Sequence, residues 1–280
     1  MTNRRFVVEK NRQKKIAVIN DLSGYGRCSL SVIMPIISSM KIQCCPVITS
    51  ILSNHTGYSH CFKEDFTKQM PEYISHWKKI GMEFDGILTG YLGSKEQIDI
   101  VIDFIHSFSK NTIVVVDPVM GDHGKIYRSF TKEHCYKMKE LAKYAHILTP
   151  NITEACILTD TEYKDTWELK ELEELSIKLQ QLGPHTIIIT GIQTDGYLNN
   201  YVKEGSLPAT IIKEKQTGHN RPGTGDIFTS IVTGAIINKN SIINGVKKAS
   251  NFVKNSIERS EEWNIPIEDG VCFEEFLHTL

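Results

Sequence analysis

The sequence lacks a long hydrophobic run, and it lacks any marked excess of charge of one sign. Its longest apolar stretches, such as 112–116 and 187–189, are far shorter than the roughly 20 residues that a helix needs to cross a bilayer. The 32 basic and 33 acidic residues nearly cancel, so the chain has no general positive field that would attract nucleic acid. We therefore expect no membrane span and no nucleic-acid partner.

The cysteines lack the spacing of disulfide, redox or zinc motifs. Their number is odd, none stand as CxxC, and no His/Cys pattern matches a zinc site; they are Cys28, Cys44, Cys45, Cys61, Cys135, Cys156 and Cys272. The first 15 residues are basic but contain no apolar segment typical of a targeting signal. We expect reduced thiols, a cytoplasmic location and a disordered basic tail over residues 1–15.

Short apolar runs alternate with amphipathic stretches over the rest of the chain. This alternation predicts an α/β fold with a mostly parallel central sheet and helices on both faces, built as a single domain over residues 16–280. The predicted strands are 16–19, 42–49, 86–90, 112–116, 146–148 and 186–190, followed by an antiparallel pair at 196–202 and 209–213. The predicted helices are 29–40, 64–79, 95–108, 132–144, 153–158, 165–182, 226–238 and 241–258.

The segment Pro222-Gly223-Thr224-Gly225-Asp226 directly precedes an apolar helical run. Glycines at such a corner let backbone N–H groups turn inward, and the helix adds its own unpaired N–H groups and dipole. We predict an anion hole for a phosphoryl group formed by Gly223, Thr224 and Gly225, with Asp226 facing a substrate hydroxyl. The helix dipole favours the ionised carboxylate, which predicts a weak base. The alternative is an ordinary turn with a helix-capping Asp226.

Polar residues follow three of the predicted strands. They are Asp117 to Asp122 after the fourth strand, Thr149 to Glu154 after the fifth, and Thr190 with Gly191 after the sixth. Ligands of such sheets bind beyond the carboxyl ends of the strands, and Asp117, Asp122 and Glu154 offer oxygen ligands to Mg²⁺, with Asn151 alongside. In the alternative interpretation, Asn151 and Thr153 cap the next helix and Asp117 starts a turn.

The order of five motifs resembles that of ribokinase-like kinases of the pyridoxal/pyridoxamine kinase branch. The motifs are SNHTGY at 53–58, GYLGS at 90–94, DPVMGD at 117–122, TPN at 149–151 with Glu154, and GTGD at 223–226. The last motif is common to the superfamily, whereas the first two are more specific to vitamin B6 kinases. The resemblance covers the chain from about Ile16 to the helix that follows Asp226.

The resemblance implies ATP-dependent phosphorylation of the 5′-hydroxymethyl group of a vitamin B6 vitamer. It implies ATP and Mg²⁺, leaves a monovalent cation open, and implies a homodimer. Asp226 would be the catalytic base, while Asp117, Thr149, Asn151, Glu154, Thr190 and Gly191 would serve the triphosphate and Mg²⁺. Thr56 and Tyr91 would line the pyridine pocket, Tyr127 would lie on a covering loop, and His55 would either reach the ring or hydrogen-bond within its own loop.

The sequence departs from the pattern after the first strand. Many pyridoxal kinases have a serine there that meets the pyridine ring, and here Asp21 or Ser23 matches that position. A carboxylate at Asp21 would favour a protonated ring nitrogen or an amino substituent. Arg221 could hold phosphate or lie on the surface.

Three other functions compete with the vitamin B6 kinase. A hydroxymethylpyrimidine phosphate kinase would share the fold and the GTGD motif, and a non-catalytic binding module could be built on the same fold. A dehydrogenase is disfavoured because no GxGxxG follows the first strand.

Overall fold

The computed structural model describes residues 12–127 and 130–280, and their chain order alternates strands with helices. The strands are β1 Lys15–Tyr25, β2 Gln43–Asn54, β3 Lys63–Asp65, β4 Gly86–Thr89, β5 Ile113–Val116, β6 Gly121–Asp122, β7 Lys125–Ile126, β8 Ile147–Leu148, β9 Thr186–Thr194, β10 Tyr197–Glu204 and β11 Thr210–Lys215. The helices are α1 Leu30–Ser39, α2 Met70–Lys79, α3 Lys95–Phe108, α4 Lys132–Ala142, α5 Ile152–Thr159, α6 Leu169–Gln181, α7 Thr224–Ile237 and α8 Ile242–Glu262.

Nine strands form one sheet in the order β11-β10-β9-β8-β5-β4-β1-β2-β3. The six central strands, from β9 to β2, pair in parallel, whereas β3, β10 and β11 pair antiparallel at the two edges. The strands β6 and β7 form a separate small hairpin. The mostly parallel sheet predicted from the sequence is therefore confirmed.

The first strand shows why helices cover both faces of the sheet. Neighbouring side chains of a strand point to opposite faces. Ala17 and Ile19 are fully buried in a core shared with α2 to α6. Ile16 and Val18 are fully buried in a second core, shared with α1, α7 and α8. A strand that is apolar at every position is thus buried on both sides, as the sequence predicted.

Two predicted elements need correction. The prediction of one helix over 64–79 was wrong, because Lys63–Asp65 pairs with β2 and the helix begins only at Met70. The polar residues of β3 are exposed and adopt a strand through pairing with β2, not through an apolar pattern of their own. The predicted disordered tail, residues 1–15, extends too far toward the C-terminus, because Lys15 belongs to β1. Residues 1–11 of that tail lie outside the described part.

No helix in the described residues is long and apolar enough to cross a membrane.

Candidate active site

The carboxyl ends of β5, β8 and β9 open onto a cavity of about 590 Å³ beside the start of α7. Because these strands are parallel, the polar residues that follow β5 and β8 meet Thr190 and Gly191, which lie within β9 and not after it as predicted, at one edge of the sheet. The cavity is lined by the predicted nucleotide, metal and catalytic residues Asp117, Asp122, Thr149, Asn151, Glu154, Thr190, Gly191, Gly223, Thr224, Gly225 and Asp226, and by Tyr127. The structure therefore brings these predicted residues together.

The anion-hole segment forms the first turn of α7. Gly223 is the residue before the helix, with φ of 80°, and a Cβ there would lie 1.9 Å from the carbonyl oxygen of Arg27. Only glycine fits this position, since both the backbone conformation and the space exclude a side chain. The N–H groups of a first helical turn lack intrahelical acceptors, and here they border the cavity. This arrangement can hold a phosphate.

Asp226 is the third residue of α7, so the prediction that the helix begins at Asp226 was wrong by two residues. No side chain caps this helix, which removes the alternative of a capping Asp226. Its Oδ1 accepts a hydrogen bond from Nδ2 of Asn20 at 3.0 Å, and its Oδ2 accepts one from the backbone N–H of Ser29 at 2.8 Å. The carboxylate is thus oriented by two donors from outside its own helix.

Burial raises the pKa of Asp226 to about 6, with a further contribution from the negative charge of Asp21. The hydrogen bonds from Ser29 and Asn20 oppose this shift without cancelling it. The expectation of a weak base was therefore wrong, because loss of hydration outweighs the helix dipole at this position. A carboxylate with a pKa near 6 is a better proton acceptor near neutral pH than an ordinary aspartate.

The predicted metal ligands lie in three different settings. Asp117 is deeply placed, with its Oδ2 accepting a hydrogen bond from Thr229 Oγ1 at 3.1 Å, and burial raises its pKa. Asp122 is exposed on the β6–β7 hairpin, where its Oδ1 accepts from the N–H of His123. Glu154 is 3% exposed, and burial raises its pKa well above the usual value.

Glu154 also completes the N-terminus of α5. Its Oε2 accepts from the N–H of Asn151 at 2.9 Å and its Oε1 from the N–H of Met120 at 3.0 Å. Asn151 Oδ1 in turn accepts from the N–H of Glu154, which makes a capping box. The capping alternative is thus confirmed for Asn151. It was wrong for Thr153, whose Oγ1 accepts instead from the N–H of Gly124 in the β6–β7 hairpin.

Within the described residues, no group of three or more His, Cys, Asp or Glu side chains could hold a metal ion by itself. The cavity instead offers separate carboxylates, of which Asp117 and Asp122 border it from opposite ends of the 117–122 motif. Mg²⁺ often keeps its waters and binds one or two carboxylates together with substrate phosphates. The donor set fits that mode of binding and does not fit a closed protein cage.

The two candidates for the ring-binding position belong to one buried network at the end of β1. Asp21 Oδ2 accepts from Ser23 Oγ at 3.0 Å, and its Oδ1 accepts from Ser29 Oγ at 2.6 Å. Burial raises the pKa of Asp21. Since the Ser29 backbone also binds Asp226, this network is directly connected to the predicted base.

Tyr91 is connected to the same place from the neighbouring strand. Its N–H donates to Oδ1 of Asn20 at 2.9 Å, and its ring stacks on Phe130 with the ring centroids 5.5 Å apart. Lys63 Nζ lies 3.3 Å from the Tyr91 hydroxyl oxygen. Asp21, Ser23 and Tyr91 do not line the cavity described above, and they are connected to Asp226 through Asn20 and Ser29.

His55 has a structural role in the loop of residues 55–60. Its Nε2 lies 2.6 Å from the carbonyl oxygen of Glu268, and its Nδ1 accepts from the N–H of Gly57. This is the hydrogen-bonding alternative for His55, although only the Gly57 donor lies in its own loop and the second partner, the Glu268 carbonyl, lies in a distant segment. Thr56 is exposed in the same loop. Neither residue lines the cavity.

Comparisons with known proteins agree with this geometry. The sequence pattern of the family described as phosphomethylpyrimidine kinase matches residues 34–270. The chain belongs to this kinase family. A putative phosphomethylpyrimidine kinase from Bacteroides thetaiotaomicron, crystallised in one form with pyridoxal, is 38% identical in sequence and superposes with a TM-score of 0.93 over 96% of each chain. The pyridoxal kinase of Lactobacillus plantarum is 25% identical, with a TM-score of 0.90 over 96% of each chain.

Relatives of two substrate classes are found among the curated proteins. A pyridoxal kinase of Arabidopsis thaliana is 32% identical over 202 residues, which are 68% of this chain and 63% of that protein. The chain thus spans less than two thirds of that relative. A hydroxymethylpyrimidine/phosphomethylpyrimidine kinase of Aquifex aeolicus is 26% identical over 180 residues, 63% of this chain and 68% of that protein. The ribokinase-like fold, the resemblance to pyridoxal kinases and the kinase class are confirmed, while these relatives leave two substrate classes open.

Sequence reasoning missed three residues of the kinase site. Asn20 and Ser29 bind Asp226, and Thr229 binds Asp117. The sequence signal for Asn20 is a polar residue that directly continues the apolar run 16–19, and the structure shows it fully buried. Thr229 lies one helical turn after Asp226 on α7, a spacing that places both on the same face.

The surface position suggested for Arg221 was wrong, while its suggested role in holding phosphate stays a prediction, since the residue borders the cavity. Its side chain is buried, and its Nη1 donates to the carbonyl oxygens of Ile265, Pro266 and Gly270. Its Nη2 pairs with Glu261 at 3.1 Å. Arg221 therefore fastens the 265–270 segment to the entrance of α7.

Proposed function

We propose that the protein transfers the γ-phosphoryl group of ATP to the 5′-hydroxymethyl group of a vitamin B6 vitamer, with Mg²⁺. The observation that carries the proposal is the position of Asp226. Its carboxylate borders the cavity at the start of α7 and also accepts hydrogen bonds from Asn20 and Ser29, which belong to the polar network at the end of β1. A substrate hydroxyl that hydrogen-bonds to this carboxylate would lie next to a phosphate held at the first turn of α7, with nothing between the hydroxyl oxygen and the phosphorus.

In the proposed reaction, the substrate hydroxyl oxygen forms a bond to the γ-phosphorus while the bond to the β–γ bridging oxygen breaks and ADP leaves. The hydroxyl proton passes to Asp226, whose pKa of about 6 suits a proton acceptor near neutral pH. Because phosphoryl transfer has a loose transition state, the main contribution of the protein is to align the reactants and stabilise spreading charge. The N–H groups at Gly223, Thr224 and Gly225 would stabilise that charge.

The residues on the nucleotide side would hold the triphosphate and its metal ion. Asp117 and Asp122 would bind Mg²⁺ directly or through water, and Asn151 and Glu154 would support that edge. Mg²⁺ would neutralise charge on the phosphate oxygens when bound. Thr149, Thr190 and Gly191 line the same cavity and would contact the phosphates. The predicted monovalent cation, homodimer and cytoplasmic location stay predictions.

The vitamin B6 assignment is supported by the relative that is 38% identical and was crystallised with pyridoxal. The second candidate is hydroxymethylpyrimidine or its phosphate, and it is favoured by the family match and by the Aquifex relative. Hydroxymethylpyrimidine and the vitamin B6 vitamers all offer a free hydroxymethyl group on a flat nitrogen ring, so Asp226 would act in the same way on each. Hydroxymethylpyrimidine phosphate would instead offer a phosphate oxygen as the acceptor. A non-catalytic binding module is disfavoured because it would not need a carboxylate such as that of Asp226 next to a phosphate site.

A coupled assay of ATP consumption tests the proposal. We expect turnover with pyridoxal, pyridoxine or pyridoxamine, and a higher kcat/KM for at least one of them than for hydroxymethylpyrimidine. A higher kcat/KM for hydroxymethylpyrimidine than for every vitamer would contradict the vitamin assignment and leave the kinase chemistry standing. ATP consumption with none of the four compounds would contradict both.

A further inference from the structure

The side chain of Asn20 is fully buried at the point where β1 leaves the sheet core. Its amide oxygen accepts two backbone hydrogen bonds, from the N–H of Asp21 and from the N–H of Tyr91, both at 2.9 Å. Its amide nitrogen donates to Oδ1 of Asp226 at 3.0 Å. Asp21 lies on β1, Tyr91 follows the end of β4, and Asp226 lies on α7. The amide of Asn20 therefore joins these three parts of the fold.

The orientation of this amide is fixed by its partners. Two N–H donors can only face an acceptor, so the oxygen of the amide must point toward Asp21 and Tyr91. The nitrogen then has to point toward Asp226. One donor, the N–H of Asp21, belongs to β1, and the other, the N–H of Tyr91, follows the end of β4 by two residues. Asn20 therefore presents a donor of fixed position to the carboxylate.

The space around the amide is kept free by Gly90. A Cβ at Gly90 would lie 2.4 Å from Nδ2 and 2.7 Å from Cγ of Asn20. The φ of Gly90 is not positive, so its backbone conformation does not require glycine. Its N–H donates to the carbonyl oxygen of Ile19 at 2.9 Å, which keeps the backbone in place. The glycine that opens the GYLGS motif is thus explained by the room that the Asn20 amide needs.

We propose that Asn20 is a positioning residue, whose amide holds the carboxylate of Asp226 in line with the reacting hydroxyl. The inference rests on the proposed function, in which Asp226 is the base. Asn20 would act only through Asp226, since the amide donor is already engaged and the side chain is fully buried. A misplacement of about 1 Å can lower a rate about 10²-fold, because proton transfer and in-line attack depend on geometry.

A purely structural role is the competing explanation, in which Asn20 only ties β1 to the end of β4. The two roles differ in kinetics. Loss of positioning lowers kcat and leaves the KM values for ATP and the ring substrate nearly unchanged. Loss of structure lowers thermal stability and changes KM and kcat together.

The test uses the full chain and whichever hydroxymethyl substrate the coupled assay shows to be turned over. Asn20→Ala removes the amide, and Asn20→Asp keeps the acceptor for both backbone donors while replacing the donor that faces Asp226. Gly90→Ala leaves Asn20 chemically intact but pushes its amide aside. A matched control is Asn199→Ala, which removes a buried asparagine on β10 whose Nδ2 donates to a backbone carbonyl.

We expect Asn20→Asp and Gly90→Ala each to lower kcat by about 10²-fold with less than a threefold change in KM. Asn199→Ala should lower the Tm with little change in kcat. In an Asp226→Ala background, Asn20→Ala should lower the residual kcat by less than threefold, because the two residues act as a unit.

The opposite results would overturn the inference. These are a near-normal kcat in Asn20→Asp or Gly90→Ala, or losses that multiply fully in the double variant. Should Asn20→Ala fail to fold, the kcat and KM of Gly90→Ala and Asn20→Asp decide the question. Near-normal turnover in Asp226→Ala alone would instead contradict the proposed function, and this measurement is independent of Asn20.

Discussion

The two sides of Asp226 are built in contrasting ways. On the nucleotide side, side chains such as Asp117 and Asp122 border an open cavity of about 590 Å³. On the other side, Asn20, Asp21 and Ser23 are at most 5% exposed and hydrogen-bond to one another or to Ser29. The open side is suited to receive a charged polyphosphate, whereas the closed side is suited to hold the Asp226 carboxylate in one position.

The contrast has an energetic basis. Buried polar groups are tolerated when each has a partner, and a network in which every member is paired is also rigid. On the nucleotide side, burial and the negative charge of Asp226 raise the pKa of Asp117. A bound cation would stabilise the ionised form of Asp117 and so lower this pKa.

The largest effect is expected for Asp226→Asn, at the junction of the two sides. The amide cannot accept the hydroxyl proton, so turnover should fall by about 10²-fold or more while ATP binding stays nearly intact. Steady-state turnover and equilibrium binding of ATP are the two measurements. Near-normal turnover would mean that Asp226 has no catalytic role.

The same residue predicts the pH dependence of the unaltered enzyme. Burial raises the pKa of Asp226 to about 6, and the base must be ionised to accept a proton. Activity, measured as kcat/KM, should therefore fall as the pH is lowered through about 6. An acid limb near pH 4, the value for an ordinary aspartate, would contradict the desolvation of this carboxylate.

Substitution of the two glycines of the anion hole should affect different properties, stability at Gly223 and turnover at Gly225. Gly223→Ala should lower the free energy of unfolding by about 3 kcal/mol, because φ is 80° and the Cβ would meet the carbonyl oxygen of Arg27. A Cβ at Gly225 meets nothing within 4 Å, and the residue borders the cavity. Gly225→Ala should therefore keep the stability of the parent protein but lower turnover.

Denaturant unfolding and the coupled assay measure the two effects. If Gly225→Ala retained full turnover, the first turn of α7 would not be the phosphate site. If Gly223→Ala were as stable as the parent protein, the left-handed conformation at that corner would not be needed.

On the nucleotide side, Glu154→Gln should raise the Mg²⁺ concentration needed for half-maximal turnover several-fold, with an unchanged KM for the ring substrate. The negative charge next to Asp117 is lost, and one of the two backbone N–H groups that donate to Glu154, that of Met120 or that of Asn151, loses its acceptor, which should cost about 1–2 kcal/mol of stability. A titration of Mg²⁺ at fixed ATP and a thermal melt are required. Lower stability with an unchanged half-saturation point would reduce Glu154 to a helix cap.

Sequence patterns predicted the central sheet well because they act locally. The apolar run at 16–19 and the polar residues after 116, 148 and 190 are visible without any knowledge of distant contacts. The strand Lys63–Asp65 was missed because its conformation depends on pairing with β2. The motif identified Asp226 as a candidate base, but the sequence did not predict its raised pKa. The residues that hold its carboxylate, Ser29 and Asn20, are 197 and 206 positions away in the chain.

The substrate side shows the same limit in finer detail. The sequence offered Asp21 and Ser23 as competing alternatives, as though only one could matter. The structure joins them by a hydrogen bond of 3.0 Å, so a change at either residue alters the surroundings of the other. Their effects on substrate choice should therefore not be additive.

The smallest expected effect is a change in the preference between pyridoxamine and pyridoxal. Asp21→Ser removes a carboxylate that would favour an amino substituent, so we expect the pyridoxamine-to-pyridoxal ratio of kcat/KM to fall by about tenfold or less. Ser23→Ala keeps the charge and removes one of its two serine hydroxyl donors, and it should change the ratio less. Tyr91→Ala is the control, because loss of one wall of the ring pocket should lower kcat/KM for both vitamers together.

A larger change of the ratio in Ser23→Ala than in Asp21→Ser would assign the ring contact to Ser23. An unchanged ratio in both would mean that the closed side positions Asp226 and the hydroxymethyl group without discriminating between the vitamers.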